Sequence, residues 1–171
     1  MIEVLRLDHR IHRDPRISTH IALISRAFGA SKLYYSGDKD SDMEDTINKV
    51  TSEFGGPFEI EHVKDYFKLI KEKKNIVHLT VYGLPVQNEI KKIQKFSDLL
   101  VIVGGSKVPP EIYNLSDFNI SVTQQPHSEL AALAIFLDKY FDSKELEKKF
   151  DNSKSVIMPQ EKGKLVKKID S

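Results

Sequence analysis

The chain contains no cysteine and no tryptophan. The first absence excludes disulfides, thiolate-held zinc and cysteine nucleophiles, and it fits a reducing, cytoplasmic setting. No apolar run approaches the roughly 18 residues needed to cross a bilayer. Met1-Ile2-Glu3-Val4-Leu5-Arg6 lacks the cationic stretch and apolar core of a secretion signal. An excess of one charge is missing too. The 26 basic and 25 acidic residues leave a net charge of +1, so any nucleic-acid contact must be a local patch rather than a general polycation. Neither G-x-G-x-x-G nor G-x-x-x-x-G-K-[ST] occurs, which disfavours the usual dinucleotide fold and the P-loop NTPases. H-E-x-x-H is also absent.

Arginine is missing from everything after residue 26, and lysine from everything before residue 32. The five arginines are Arg6, Arg10, Arg13, Arg16 and Arg26. Guanidinium is a planar fork that grips phosphate or carboxylate bidentately, whereas ammonium is a mobile point charge. Concentrating the forks in Leu7-Asp8-His9-Arg10-Ile11-His12-Arg13-Asp14-Pro15-Arg16 points to an anion site, with a nucleic-acid backbone as its ligand. Surface ion pairs with Asp8 and Asp14 are the plainer alternative. His9 and His12 beside the same aspartates make a weak metal pattern, and no metal is expected.

With 171 residues, 40% hydrophobic, and a mean hydropathy of −0.36, the chain suits one well-buried soluble domain with a small appendage. Short apolar runs alternate with helical spacing. Strands are expected at 2–7, 32–36, 58–63, 76–82, 99–103 and 118–122. Helices are expected from Ser18 or Thr19 to Phe28, and at 42–54, 65–74, 89–96, 110–114 and 128–141. Leu99 to Val103 is a continuous aliphatic run, the mark of a strand buried on both faces. This alternation predicts an α/β fold with a parallel sheet and helices on both faces. The domain is expected over 1–150, and 151–171 reads as an extension, with 155–158 and 165–168 forming a β-hairpin.

Ligands of open α/β sheets gather at the carboxyl ends of strands. Three such ends stand out: Leu79-Thr80-Val81-Tyr82-Gly83, Val103-Gly104-Gly105-Ser106-Lys107-Val108, and Val122-Thr123-Gln124-Gln125-Pro126-His127-Ser128-Glu129. Their glycines admit close backbone approach, and the last runs into a helix start with free N–H groups. A nucleotide-like cofactor suits them; ordinary turn glycines remain the alternative. His127 reads as a hydrogen-bonded structural histidine rather than a general base.

Taken together, Leu5-Arg6-Leu7-Asp8-His9-Arg10, Arg13-Asp14-x-Arg16-x-Ser18-Thr19-His20 and Arg26-Ala27-Phe28-Gly29-Ala30 resemble the opening of the archaeal tRNA (cytidine-56) 2′-O-ribose methyltransferases of the SPOUT class. His78 to Gly83, Val103 to Pro109 and Gln125 to Ala134 continue the resemblance, and the terminal hairpin looks like the family's extension. Asp8 stands where glycine is expected, Gly105 where alanine is usual, and Thr123-Gln124 where Gly-Asn is more familiar. The resemblance implies a trefoil knot in the C-terminal half, S-adenosyl-L-methionine as cofactor, tRNA as substrate and a homodimer whose active site uses both subunits. It places the donor on Leu79, on Gly104, Gly105, Ser106, Lys107 and Val108, and on Val122, Thr123, Gln124, Gln125, Pro126, His127, Ser128 and Glu129. Within it, Arg10 is the expected orienting arginine, His20 a proton acceptor, and Arg13 and Arg16 the holders of RNA phosphates. A non-catalytic RNA-binding protein of the same fold and another nucleotide-binding α/β enzyme are the rival readings.

Overall fold

The structure, a computed structural model, describes residues 1–13, 15–105 and 107–169, with Pro15 described by its backbone only. Its elements run β1 (Ile2–His9), α1 (Pro15–Ala27), β2 (Lys32–Gly37), α2 (Ser41–Phe54), β3 (Glu59–His62), α3 (Tyr66–Glu72), β4 (Ile76–Pro85), α4 (Val86–Ile93), β5 (Leu99–Val103), α5 (Pro110–Leu115), β6 (Phe118–Ser121) and α6 (Glu129–Phe141). A 3-10 turn at Lys144–Glu147 precedes the hairpin strands β7 (Ser155–Met158) and β8 (Leu165–Lys168). The main sheet has the order β3-β2-β1-β5-β4-β6 with every pairing parallel. β5, the fifth strand in the chain, is thus inserted between β1 and β4 at the middle of the sheet.

Side-chain alternation divides the core into two layers. Val101 and Val103 of β5 join Val4, Leu79, Leu133 and Phe136 on the face covered by α1 and α6. Leu100 and Ile102 join Leu5, Leu7, Ile70 and Ile112 on the face covered by α3 and α5. All five residues of β5 are buried, as its unbroken aliphatic run demands. Helix starts follow side-chain caps: Asp40 accepts from the Met43 N–H, Asp65 from Lys68 and Ser128 from Leu130.

Several boundaries differ from expectation: β4 runs on to Pro85, and α4 follows it directly over Val86–Ile93 rather than 89–96. Helix α1 starts at Pro15, three residues before Ser18. Proline is preorganised for a first helical position and has no N–H to leave unbonded. Ser18 is instead buried inside the helix, where its Oγ lies 2.8 Å from His9 Nδ1.

The hairpin is tied to the amino-terminal edge of the sheet. Gly56 donates to the Asp151 carbonyl at 2.9 Å, Lys154 donates to the Glu53 carbonyl at 2.9 Å, and Ser155 Oγ donates to the Glu53 carboxylate. Arg26, buried near the end of α1, donates to the Gly55 carbonyl at 2.5 Å and lies 4.5 Å over the Phe150 ring. No described helix is long and apolar enough to cross a membrane.

Next to this anchor sits Glu145, only 5% exposed, whose carboxylate oxygens have no hydrogen-bond partner among the described residues. Burial raises its pKa above the ordinary carboxylate range, and the nearby Asp138 adds to the shift. As pH rises above about 4.3, the unfolded chain gives up this proton before the folded chain does, so the group removes stability progressively toward neutrality. Glu145→Gln is therefore expected to raise the thermal midpoint at pH 7, with the difference shrinking as pH falls toward 4. Calorimetry across that range checks it, and a pH-independent difference would contradict the account.

Candidate active site

The carboxyl ends of β4, β5 and β6 surround a cavity of about 260 Å³. β4 supplies His78, Leu79, Thr80, Val81 and Tyr82, β5 and its loop supply Val103, Gly104, Gly105 and Val108, and α5 supplies Tyr113. Ile120, Val122, His127, Glu129 and Ala132 close the other side. A kink in β4 shapes one wall. Leu79 and Leu84 both pair with Ile120, so residues 80–83 bow out of the ladder. Gly83 permits the close crossing, since a Cβ there would lie 2.5 Å from the Asn119 and Ile120 backbone.

Two imidazoles bring unused hydrogen-bonding capacity to this region. His127 Nδ1 lies 3.0 Å from the Ser128 carbonyl, which can only accept, so Nδ1 carries the proton. His127 Nε2 then offers a lone pair, and it is buried with no protein partner among the described residues. His78 repeats the arrangement. Asn119 donates its amide N–H to the Tyr113 carbonyl at 2.9 Å, which turns its Oδ1 toward His78 Nδ1 at 2.9 Å. His78 Nε2 is left without a partner, and burial lowers this imidazole's pKa, keeping it neutral. Thr80 and Tyr113 hydroxyls lie 3.3 Å apart on the same wall.

These features fit an adenosyl donor. Glycine backbone allows flat groups to approach closely, and the lone pair of His127 needs a ligand N–H or O–H, which an adenine amine or ribose hydroxyl has. Of the residues expected to hold the donor, Leu79, Gly104, Gly105, Val108, Val122, His127 and Glu129 line the cavity. Lys107, Thr123, Gln124, Gln125, Pro126 and Ser128 do not, and are exposed around it. Ser106 lies outside the described residues. His78, Thr80 and Tyr113 were not expected as site residues. The first two adjoin Leu79 in a singled-out strand end, whereas only folding brings Tyr113 there.

The arginine segment lies at the same edge of the sheet, because β1 ends there and α1 begins there. His9 is fully buried between Ser18 and Asp40, 3.1 Å from the latter, so it is committed to structure. Asp8 has a left-handed φ of 58° and its carboxylate lies 3.8 Å from Arg10 Nε. Arg10 is partly exposed, and Arg13 and Arg16 are exposed. His20 is exposed four residues after Arg16, which puts the two on one face of α1. None of Arg10, Arg13, Arg16 and His20 lines the cavity. Arg6 contacts a residue that does: it is 2% exposed and donates from Nη1 to the Gly104 carbonyl at 2.6 Å. Among the described residues no cluster of three or more histidines or carboxylates could hold a metal ion.

A sequence profile of the tRNA ribose 2′-O-methyltransferases, aTrm56, matches residues 54–167. The chain belongs to this family. A tRNA (cytidine(56)-2′-O)-methyltransferase of Thermococcus kodakarensis is 46% identical over 177 residues, covering 99% of this chain and 98% of that protein. Among solved structures, the TrmH/SpoU tRNA modifying enzyme of A. aeolicus superposes with a TM-score of 0.62 at 18% identity, covering 85% of this chain and 76% of that one. The SpoU methyltransferase AviRb of Streptomyces viridochromogenes, solved with AdoMet, gives 0.60 at 11% identity over 84% of this chain and 57% of its own. These likenesses identify the SPOUT fold. Two positions that the resemblance singled out have simple geometry. Asp8 sits where glycine would be unstrained, and Gly105 has no atom within 3.8 Å of a would-be Cβ, so alanine fits as well.

Proposed function

We propose that this chain transfers a methyl group from S-adenosyl-L-methionine to the ribose 2′-hydroxyl of the T-loop cytidine-56 of tRNA, in the cytoplasm and as a homodimer. The observation that carries the reading is the cavity at the ends of β4, β5 and β6, with its glycine-lined wall and the unpartnered His127 nitrogen. When bound, S-adenosylmethionine supplies a methyl group activated by its sulfonium. The loops 104–108 and 122–129 hold the donor, largely through backbone groups, and exclude water from it. The trefoil knot belongs to this reading, as the threading that brings those two loops together.

A ribose hydroxyl is a weak nucleophile until its developing charge is stabilised and its oxygen aligned. Arg10 orients that oxygen or the adjacent phosphate, because its guanidinium stays charged and donates along fixed directions. Arg13 and Arg16 hold backbone phosphates. His20, on the Arg16 face of α1, receives the proton. None of these four side chains lines the cavity of its own chain, and this motivates a site completed by a second copy.

The decisive experiment is donor-dependent methylation of an unmodified tRNA transcript with and without the target cytidine. Incorporation confined to the former is expected, with tRNA affinity falling steeply as salt rises. Tight, salt-sensitive tRNA binding without incorporation would make the chain a non-catalytic RNA-binding protein. For Arg10→Lys, the rate constant should fall by roughly 100-fold, about 2.7 kcal/mol of transition-state stabilisation. S-adenosylhomocysteine affinity should stay within about threefold by calorimetry. Activity near that of the wild type would remove Arg10 from the reacting centre.

A further inference from the structure

Arg6 ends a row that belongs to the core. Ile2, Val4 and Arg6 alternate onto the face of β1 covered by α1 and α6, and the first two pack in the apolar cluster there. A guanidinium in that place is costly to desolvate, and an aliphatic residue would pack without the penalty. The contacts of Arg6 indicate what it does. Nη1 donates to the carbonyl of Gly104, the first residue after β5, and lies 4.0 Å from the carboxylate of Glu129, the first residue of α6. These two residues sit at the start of the 104–109 loop and at the end of the 122–128 loop. One buried side chain on a central strand thus touches both segments that wall the cavity.

We infer that Arg6 is a positioning residue, a strut that sets the spacing of the two cavity loops before any donor binds. The inference rests on the reading of this cavity as the donor site. Arginine suits the role because Nη1 donates to the Gly104 carbonyl along a fixed direction while the delocalised guanidinium charge stays 4.0 Å from the Glu129 carboxylate, an ionic contact rather than a hydrogen bond. Lysine in its place keeps the charge but directs one small ammonium, which follows a single acceptor at a time. The loops then sample a wider range of separations, and the donor must order them on binding.

The test compares wild type, Arg6→Lys and Glu129→Gln, with two readouts. The first is amide hydrogen exchange of the ligand-free protein. Exchange in 104–109 and 122–128 is expected to accelerate by about tenfold or more in both variants, while β5 keeps its protection. The second is S-adenosylhomocysteine affinity by calorimetry, expected to weaken by about tenfold in Arg6→Lys and somewhat less in Glu129→Gln. For Arg6→Lys the turnover number at saturating donor should stay within a few-fold, so that its change appears in KM. A folded Arg6→Lys protein with wild-type exchange in both loops overturns the strut. Should Arg6→Lys fail to fold, Glu129→Gln decides alone, because weakened binding with unchanged loop exchange there marks a direct ligand contact instead. Failure of the wild type to bind S-adenosylhomocysteine would count against the donor site, and the exchange data would still decide the strut.

Discussion

Gly104→Val is expected to lower S-adenosylhomocysteine affinity by about 100-fold or more, some 2.7 kcal/mol, and to abolish methylation at ordinary donor concentrations. A Cβ on residue 104 would lie 2.2 Å from Val108 Cγ2, and both residues line the cavity. The clash has two resolutions. Either Val108 turns to another rotamer, or the loop 104–109 moves outward. In both cases the branched side chain of the new valine and the displaced Val108 take up space in a cavity of only about 260 Å³. Moving the loop also pulls the Gly104 carbonyl from Arg6. The adjacent glycine provides the control. A Cβ on residue 105 meets nothing closer than 3.8 Å, so Gly105→Ala should bind with wild-type affinity. Calorimetry on both variants separates the geometric account from a general intolerance of this loop. Unchanged affinity in Gly104→Val, or equal losses in the two, would contradict it.

The second large effect concerns stability. Gly37→Ala is expected to destabilise the fold by about 3 kcal/mol and lower the thermal midpoint by about 6–12 °C. Gly37 ends β2 with φ at +99°, where a side chain is strained, and its Cβ would lie 2.2 Å from the His9 carbonyl oxygen and 2.7 Å from the His9 nitrogen. Both atoms are backbone, so no rotamer change relieves the overlap and the ends of β1 and β2 must separate. That separation would strain the bond from the Asp38 N–H to the His9 carbonyl and the seat of His9 between Ser18 and Asp40. Arg10 is the next residue. Methylation by Gly37→Ala at a temperature where it remains folded should therefore fall more than donor affinity does. A midpoint shift below about 2 °C would show that the strand ends yield easily.

The strands were legible in the sequence because a parallel sheet buried on both faces needs uninterrupted aliphatic runs, and Leu99 to Val103 meets that need on its own. Parts of segments 104–108 and 122–129 reach the cavity, namely Gly104, Gly105, Val108, Val122, His127 and Glu129, and the signals that singled them out were glycines and a capped helix start following a strand. The arginines were conspicuous by composition, yet composition could not distribute their roles. Arg6 and Arg10 are four residues apart, and only packing makes one of them a buried contact of the cavity loops while the other remains partly exposed. Arg26 falls within the expected first helix, and the fold uses it to grip Gly55 and Phe150. The true start of α1 was missed because Ser18 has the side chain of a good cap, but tertiary contact with His9 commits its hydroxyl elsewhere.

By itself, the sequence determined the α/β class, both-face burial of β5, the hairpin and the family. These rest on periodicity, turn chemistry and local motifs, which neighbouring residues settle among themselves. Tertiary structure alone decided the strand order, the bowing of residues 80–83, the arrival of Tyr113 beside His78, and the link from Arg6 to Gly104 across 98 positions. Such contacts depend on the path of the whole backbone, and no local pattern encodes them.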